Sequence, residues 1–345
     1  MKAVYITKQG ELDVLTYGEI PYPEINPNEI IVKIKACALN RLDIYTRSGA
    51  RGTKRNFESP HILGSDIAGE VVTVGALVNS VKVGARVVLN PRVTCGECRF
   101  CLAGMDEFCQ SSKMLGSTMN GGYAEYIKVP GTNAIILPPN ISFEEAAAMP
   151  TVFMPSWAMI VRKAQLKPME TVLVLSASSG VGTAAIQVAK NYIGAKVITT
   201  TSTQEKAQKA KELGADEVII YPIDDMTQEI KKLTNNYGID VVIDHVGSDF
   251  WDGAFNALAT GGRYGVCGVS TGYKSQLHMG KLFTKQLTVF GVFMGRKEDL
   301  RTVIKMAERK IINSVIHKTF SFKDVAEAHH LMESQQFFGK LVLKM

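Results

Sequence analysis

The sequence lacks the long apolar runs that membrane proteins carry. No uninterrupted apolar stretch in its 345 residues approaches the roughly 18–20 residues that span a bilayer. Met1–Gly10 also lacks the apolar core of a secretory signal peptide. These two absences predict a cytoplasmic protein that does not associate with membranes.

A strong charge of one sign is also missing. The chain has 39 basic and 33 acidic residues, a net charge of +6, and the excess is dispersed rather than clustered. This mild balance argues against a nucleic-acid partner and is compatible with a small anionic ligand. With 46% hydrophobic and 21% charged residues and no repeat or low-complexity linker, the composition indicates a globular protein that acts on a small-molecule substrate.

Cysteines are few, but four of the six fall within fifteen residues. Cys95, Cys98, Cys101 and Cys109 have the spacing C-x2-C-x2-C-x7-C. Four thiolates on one short loop suit a tetrahedral structural zinc with no open coordination position, one ion per chain. The alternatives are four reduced cysteines without metal and, on a looser match of spacing, an iron–sulfur cluster.

The first half of the chain is predicted to be mostly β-structure. Alternating or continuous apolar residues punctuated by glycine and proline predict these strands: Ile30–Ala36, Gly69–Val74, Gly84–Leu89, Gly122–Val129 and Ala134–Leu137. A helix over Phe143–Val161 is expected to follow, with Ser142 as its N-cap.

From Thr171 onward strands alternate with helices, which predicts an α/β fold with a doubly wound parallel sheet. The predicted strands are Val172–Leu175, Lys196–Thr200, Val218–Tyr221, Asp240–Asp244, Gly262–Val269 and Leu287–Phe293. The predicted helices are Thr183–Lys190, Glu205–Leu213, Met226–Asn235, Phe250–Leu258, Leu300–Glu308 and Phe322–Glu333. We expect the closing strand, Lys340–Leu343, to return to the first domain.

The turn between the first strand and helix of this region is built from small residues. Ser176–Gly182 has Ala177, Ser179 and Gly182 where a dinucleotide-binding turn has its three glycines. A strand, a tight turn and a helix in this order aim backbone N–H groups at a pyrophosphate, which assigns Ser179, Gly180 and Val181 to coenzyme binding. The alternative is an ordinary strand–helix junction.

Six segments occur in an order that resembles the zinc-type medium-chain dehydrogenase/reductase superfamily. They are ACALNRLDIYTRSG, ILGSDIAGEV, GGYAEY, SASSGVG, AKELGAD and GKLVL. The resemblance implies a GroES-like catalytic domain at 1–153 and 291–345, with a structural zinc lobe at 91–112. It also implies a Rossmann coenzyme domain at 154–290.

The chain departs from that family at the catalytic zinc. The alcohol dehydrogenases bind this metal through a Cys, the His and Glu of a Gly-His-Glu motif, and a second Cys. The corresponding residues here are Asn40, Ser65 and Asp66, and the second cysteine position falls close to Pro150. Since catalytic zinc needs three protein ligands, we expect that this chain binds no catalytic zinc. The chain then resembles the quinone oxidoreductase-like branch, which shares the Asn-x-x-Asp of Asn40–Asp43.

This resemblance implies an NADPH-dependent reductase of quinones or α,β-unsaturated carbonyl compounds. The Asn40 amide is expected to donate to the acceptor oxygen or contact the nicotinamide, unless it serves only as a turn-forming cap. Asp43 would orient the local network and Tyr45 would line the cleft. The alternatives are a zinc-dependent alcohol dehydrogenase, an enoyl-thioester reductase and a nucleotide-binding protein without turnover.

The second strand of the coenzyme domain ends without a carboxylate. Thr201 stands where NAD enzymes usually place Asp or Glu, followed by Ser202 and Lys206. Hydroxyls and an ammonium can bind a 2′-phosphate, which favours NADPH over NADH unless Glu205 meets the ribose. The family resemblance implies that Lys206 contacts the 2′-phosphate and that Tyr221 contacts the adenosine side of the coenzyme. It assigns the ribose and nicotinamide lining to Val246, Gly268 and Val269.

Two further features lead to predictions. The loop Arg47–Phe57 carries Arg47, Arg51, Lys54 and Arg55, which form either a solvated basic loop or a site for the phosphates of an acyl-CoA thioester. The predicted strand Leu287–Phe293 is apolar and would lie at a sheet edge, where it invites pairing with a second subunit. We therefore expect a homodimer or a homotetramer.

Overall fold

The computed structural model describes residues 1–57, 60–221 and 225–345, and the chain folds into two compact units. Unit 1 comprises Met1–Thr151, Arg296–Glu308 and Asn313–Met345, and unit 2 comprises Val152–Gly295 and Arg309–Ile312. The predicted boundaries at 153/154 and 290/291 lie two and five residues from these divisions. Within the described ranges, no helix combines the length and apolarity needed to cross a bilayer.

The N-terminal part of unit 1 is built mainly from short strands. Its strands are β1 Lys2–Ile6, β2 Thr16–Glu19, β3 Glu29–Ala38, β4 His61–Ile62, β5 Asp66–Val74, β6 Arg86–Leu89, β7 Arg92–Val93, β8 Lys113–Met114, β9 Tyr126–Pro130 and β10 Ala134–Ile136. Its helices are α1 Arg41–Ser48, α2 Arg99–Leu102, α3 Phe143–Ala147 and α4 Pro150–Trp157, of which α4 continues into unit 2.

Unit 2 contains one six-stranded sheet in which every pair of neighbours is parallel, in the order β13-β12-β11-β14-β15-β16. Its elements are β11 Thr171–Val174, α5 Gly180–Gln187, β12 Lys196–Thr201, α6 Gln204–Glu212, β13 Glu217–Ile220, α7 Met226–Leu233, β14 Ile239–Asp244, α8 Ser248–Asn256, β15 Leu258–Val266, α9 Met279–Thr284 and β16 Thr288–Gly291. The predicted α/β fold with a doubly wound parallel sheet is confirmed.

The C-terminal segment completes unit 1. It consists of α10 Lys297–Glu308, β17 Ile316–Ser321, α11 Val325–Ser334 and β18 Lys340–Lys344. The last strand, β18, pairs antiparallel with β3, with Val342 opposite Ala38. It thereby joins a seven-stranded sheet of order β10-β6-β5-β3-β18-β17, to which β9 adds beside β3. The expected return of the closing strand to the first domain is confirmed.

The alternation of β3 explains where the core of unit 1 lies. Ile30, Val32 and Ile34 project from one face of the strand and are fully buried. They join a cluster that also contains Phe320 and Leu341 from the C-terminal segment. Burial of these side chains therefore fixes β3 and the end of the chain in one core.

The single helix predicted over Phe143–Val161 is wrong. It begins as expected after Ser142, whose hydroxyl accepts from the Glu145 N–H at 3.2 Å, but it stops at Ala147. A new helix starts at Pro150 and passes into π-helix at Ala158–Lys163. Proline lacks an N–H and disfavours helical backbone in the residue before it, so Pro150 begins a helix rather than continuing one.

Arg47 is not part of a solvated basic loop, which corrects one interpretation of that segment. It lies in α1 with its side chain fully buried, and its Nη2 is 2.5 Å from Glu333 Oε1 in α11. Its Nη1 lies 3.3 Å from His329 Nδ1, and His329 Nε2 lies 3.0 Å from the Tyr123 hydroxyl. Burial and the neighbouring guanidinium lower the pKa of His329 to about 3, so this ring is neutral.

We predict that Glu333→Ala destabilises the protein much more than Glu327→Ala on the same helix. Loss of Glu333 leaves the Arg47 guanidinium buried without its main counter-charge, which costs about 3 kcal/mol. Glu327 pairs with Lys318 at an exposed position, where the loss is about 0.5 kcal/mol. Urea unfolding of both variants measures the difference, and equal midpoints would contradict the buried-pair explanation.

Candidate active site and metal centre

The four clustered cysteines converge on one point. Their Sγ atoms all lie within 4.8 Å of one another. Two of the pairs, Cys95–Cys101 and Cys95–Cys109, are separated by 3.9 and 3.6 Å. A zinc–sulfur bond of about 2.3 Å in a tetrahedron places neighbouring sulfurs about 3.8 Å apart. The geometry of the thiolates therefore fits a structural zinc, which would fill all four of its positions with sulfur.

The chemistry of the lobe also favours metal binding. Backbone N–H groups, including that of Cys98, donate to Cys95 Sγ and lower the pKa of this thiol to about 7. A thiol that is easily deprotonated is a better zinc ligand. Among the residues that the structure describes, this is the one group of three or more His, Cys, Asp or Glu side chains with ligand spacing.

Asn40 and Asp43 lie at the start of α1, where Asp43 fixes the local backbone. Asn40 is the N-cap, and its N–H donates to Asp43 Oδ2 at 2.7 Å. The Gly64 N–H donates to Asp43 Oδ1 at 3.1 Å. Burial raises the pKa of Asp43 to about 7 against these two bonds. Asp43 thus joins the Asn40 segment to the Gly64–Asp66 segment.

Four polar side chains meet beside this junction in what we call the Lys340 cluster: Asn40, Asp66, Thr151 and Lys340. Lys340 Nζ lies 2.7 Å from Asn40 Oδ1 and 3.1 Å from Asp66 Oδ2. Asn40 Nδ2 donates to Asp66 Oδ2 at 3.0 Å. The Thr151 hydroxyl is 2.5 Å from both Asn40 Oδ1 and Asp66 Oδ2, and the Thr151 N–H donates to Asp66 Oδ1 at 3.1 Å. Asp66 and Lys340 are buried, while Asn40 and Thr151 are half-buried.

Sequence reasoning missed two members of this cluster. Lys340 belongs to the closing GKLVL segment, which served only as a family signature, and Thr151 follows Pro150, close to which the family's second cysteine position falls. A lysine that begins an otherwise apolar strand is a signal that could have been used, because a buried ammonium requires acceptors nearby.

The remaining predicted residues of this region are more dispersed. Tyr45 lies within α1 with a half-buried side chain. Arg55 is half-buried and donates to the Ser117 carbonyl, whereas Arg51 and Lys54 are exposed. With Arg47 buried as well, the four basic residues do not form one surface patch.

In unit 2 the turn after β11 has the features of a phosphate-binding turn. Ser179 is the N-cap of α5, and its hydroxyl accepts from the Gly182 N–H at 2.8 Å. A Cβ on Gly182 would lie 2.1 Å from the Ser176 carbonyl oxygen, so only glycine fits there. Gly180 and Val181 are the first two residues of the helix, where N–H groups have no helical acceptor. These features fit a dinucleotide pyrophosphate.

His245 was also missed by sequence reasoning. Its Nε2 lies 2.5 Å from the Ser179 hydroxyl, and its Nδ1 is buried without a hydrogen-bond partner. Burial lowers the pKa of His245 to about 4, so the ring is neutral at physiological pH. His245 follows β14 directly, which brings the ends of two neighbouring strands together at the turn.

The residues predicted to select the coenzyme follow β12. Thr201 is its last residue, and the Thr201 hydroxyl is buried without a partner. Lys206 lies in the first turn of α6, whose N-cap Thr203 accepts the Lys206 N–H at 3.2 Å, and Ser202 is exposed. Glu205 pairs with Lys209 at 2.7 Å. Tyr221 packs edge-on against Phe250, with ring centroids 4.9 Å apart.

The residues assigned to the ribose and nicotinamide lie in the loops after β14 and β15. The Val246 N–H donates to Asp244 Oδ1 at 2.7 Å. Gly268 and Val269 follow β15 and pack against the β14 loop, because a Cβ on Gly268 would lie 2.8 Å from the His245 carbonyl oxygen. The carboxyl ends of parallel strands are where such folds bind ligands.

Comparison with known proteins agrees with this architecture. Residues 26–139 match the model of the alcohol dehydrogenase GroES-like domain, and residues 180–309 match that of the zinc-binding dehydrogenases. The NAD-dependent alcohol dehydrogenase of Sulfolobus acidocaldarius is 30% identical over all of both chains. The chain belongs to the medium-chain dehydrogenase/reductase superfamily. It is therefore an oxidoreductase fold with a nicotinamide-coenzyme domain and a GroES-like domain.

Two further relatives of this superfamily differ in their named activities. A solved structure of an NAD-dependent alcohol dehydrogenase is 40% identical, with a TM-score of 0.95 and complete coverage of both chains. The acryloyl-coenzyme A reductase of Sulfurisphaera tokodaii is 30% identical, also over all of both chains. Overall similarity therefore does not distinguish between these substrate classes, and the substrate class has to be inferred from the residues of the site.

We predict that the purified protein contains about one zinc per chain, bound by the four cysteines. Replacement by cobalt should produce the visible and near-ultraviolet bands of tetrahedral cobalt thiolate. Cys98→Ser should abolish these bands and lower Tm, because a structural metal contributes folding free energy. Cys37→Ser, a change at a cysteine outside the lobe, is the matched control and should keep the bands. Unchanged cobalt spectra in Cys98→Ser would rule out this site.

Proposed function

We propose that this protein reduces α,β-unsaturated carbonyl compounds with NADPH and without a catalytic zinc. The Lys340 cluster is the observation that carries the proposal. Two of its members, Asn40 and Asp66, and the neighbouring Ser65 stand at the sequence positions where alcohol dehydrogenases of the superfamily hold their catalytic metal. Here those positions contribute an amide, a serine hydroxyl and a carboxylate that is already paired with an ammonium.

The one family ligand that remains, Asp66, is fully engaged. Its Oδ2 accepts from Asn40, Lys340 and the Thr151 hydroxyl, and its Oδ1 accepts from the Thr151 backbone. A metal bound there would have to displace donors and would find neither a thiolate nor an imidazole from the aligned positions. Catalytic zinc sites provide three protein ligands, a requirement that these residues do not meet.

Conjugated acceptors suit a site of this kind. A bound nicotinamide coenzyme would supply the hydride. The β-carbon of the acceptor would accept this hydride, its π-electrons would move to the carbonyl oxygen as an enolate, and solvent would protonate the α-carbon. Because the acceptor provides its own electron sink, the protein must supply a donor to the developing oxyanion. Asn40 Nδ2 is the donor that we assign to this role.

Within this class, enoyl thioesters are the first substrates to test. The acryloyl-coenzyme A reductase relative supports them, and the exposed side chains of Arg51 and Lys54 lie just beyond α1, where they could meet phosphates. Quinones, which the sequence also suggested, remain the second class of acceptor.

A zinc-dependent alcohol dehydrogenase is the alternative that the relatives favour by name. It requires a second zinc at the Lys340 cluster, so the two functions differ in metal content. A protein with about two zincs per chain and alcohol oxidation activity would contradict our proposal.

The coenzyme is proposed to be NADPH, although the alcohol dehydrogenase relatives have NAD in their names. No carboxylate ends β12. The unpartnered Thr201 hydroxyl and the ammonium of Lys206, whose pKa burial lowers, lie near that end. Glu205, the nearest acidic residue along the chain, is held by Lys209.

We further propose a homodimer, or a homotetramer built from it, in the cytoplasm. The strand β16 forms one end of the parallel sheet, and Val289, Phe293 and Phe283 expose apolar side chains in and near it. Exposed apolar side chains beside an open strand edge favour pairing with a second copy.

We expect the wild-type protein to oxidise NADPH in the presence of crotonyl-CoA or acryloyl-CoA and to leave primary alcohols with NADP⁺ unchanged. The assay follows NADPH absorbance across a panel that also contains quinones and simple enones. Comparing crotonyl-CoA with crotonyl-pantetheine isolates the contribution of the nucleotide phosphates: a lower KM for the CoA ester supports the role of the basic loop. If no acceptor is reduced and NADPH nevertheless binds, a nucleotide-binding protein without turnover is the better explanation.

We predict that Lys206→Ala raises the Kd for NADPH about tenfold and leaves that for NADH unchanged. A charge-assisted hydrogen bond to the 2′-phosphate contributes about 1.5 kcal/mol or more, and NADH lacks this phosphate. Quenching of protein fluorescence measures both affinities. Lys211→Ala, which removes an exposed lysine from the same helix and leaves the Glu205–Lys209 pair intact, serves as the control and should affect neither. An equal loss of NADH and NADPH binding in Lys206→Ala would contradict the assignment.

A further inference from the structure

We propose that Lys340 is a positioning residue that locks the Asn40 amide with an N–H available to the acceptor oxygen. This inference rests on the proposed function and extends it to a residue whose role the sequence alone did not indicate. It follows from which atoms of the Lys340 cluster can donate and which can accept.

The ammonium of Lys340 is fully used within the protein. Its three N–H groups have three acceptors, namely the Leu39 carbonyl at 2.7 Å, Asn40 Oδ1 at 2.7 Å and Asp66 Oδ2 at 3.1 Å. Lys340 is only 4% exposed. It therefore has no N–H left for a substrate and acts through the groups that it holds.

The most important of these groups is the Asn40 amide. An ammonium is a donor only, so the amide atom that faces it must be the oxygen. A flipped amide would set its NH₂ group against the ammonium and leave a buried positive charge short of one acceptor, which is costly. Lys340 thus fixes which end of the half-buried Asn40 side chain carries the N–H groups.

The amide nitrogen then has one N–H to spare. One N–H is bonded to Asp66 Oδ2 at 3.0 Å. The other has only long contacts, 3.4 Å to the Ala38 carbonyl and 3.4 Å to the Ser65 hydroxyl. These are weak hydrogen bonds by distance. An oxyanion that offers a shorter bond can therefore replace them at little cost.

The same contact strengthens Asn40 as a donor. A positive charge 2.7 Å from the amide oxygen draws electron density from the nitrogen, which makes the N–H groups more acidic. Charge that develops on a nearby oxygen during hydride transfer is stabilised by such a preorganised donor. The ammonium and the Asp66 carboxylate cancel in net charge, so the cluster provides this polarisation without a bound metal.

The test compares Asp66→Asn with Asp66→Asn/Lys340→Met. Both variants lack the carboxylate, and they differ only in the ammonium, so neither leaves Asp66 buried and unpaired. Lys340→Met keeps the length of the side chain within β18. Asp66→Asn leaves the ammonium buried without its counter-charge, so we expect a lower Tm for it than for the double variant, and kcat is compared at a temperature at which both are folded. We expect similar Kd values for NADPH, but a kcat for the acceptor that is on the order of 10²-fold lower in the double variant.

If Lys340 acts through Asn40, the effect of removing Lys340 should depend on whether Asn40 is present. In an Asn40→Ala background the same Lys340→Met change should lower kcat by less than about threefold, because the group that it orients is gone. A full loss of activity in both backgrounds would show that Lys340 acts independently of Asn40. Equal kcat in Asp66→Asn and the double variant would overturn the inference.

A spectroscopic measurement separates this inference from the proposed function. The side-chain amide protons of Asn40 are identified in ¹H–¹⁵N spectra as the pair lost in Asn40→Ala. They should shift between Asp66→Asn and the double variant, whatever substrate the enzyme uses. Unshifted signals would contradict the orientation of the Asn40 amide by Lys340, even if the enzyme is active. Shifted signals in a protein that reduces no acceptor support the lock and contradict the proposed function alone.

Discussion

The ion pair between Lys340 and Asp66 is the constraint on which the candidate active site depends. Both side chains lie in the interior of unit 1, where an isolated charge would cost several kcal/mol. The structure meets this cost by giving each charged group several partners: three acceptors for the ammonium and donors from Asn40 and Thr151 for the carboxylate. The requirement for partners is what brings these four residues together, since each would be unfavourable there alone.

This constraint also explains why the end of the chain belongs to unit 1. Lys340 begins β18, which pairs with β3, and the Leu39 carbonyl that it binds follows directly after β3. Arg47 and Glu333 make a second link between α1 and the C-terminal segment. Helix α1 is therefore held at its first turn by Asp43 and near its last turn by Arg47. Because these contacts, which are distant in sequence, hold the helix, the backbone of its N-cap Asn40 is also fixed.

Residues that act through local spacing could be predicted from the sequence, and those that act through distant contacts could not. The four cysteines lie within one short loop, so their spacing alone brought them together. The parallel sheet followed from the alternation of strands and helices. In contrast, Lys340 and Asn40 are 300 positions apart, and no pattern near either residue indicates their contact. Arg47 stood in a basic segment, where its neighbours suggested solvent, and its burial became visible only with α11 in place.

The departures from the family pattern follow a chemical logic in this light. A buried carboxylate without a metal beside it requires another positive charge nearby. Lys340 provides that charge for Asp66, and the Asn40 amide adds none. A carboxylate, an ammonium and a neutral amide can be satisfied by hydrogen bonds alone, whereas a thiolate or an imidazole beside Lys340 would compete for the same donors. The Asp66 carboxylate and the Lys340 ammonium thus balance in charge, and the neutral Asn40 amide bonds to both. Under the proposed function, a bound substrate rather than the protein supplies the oxygen that accepts the remaining N–H of Asn40.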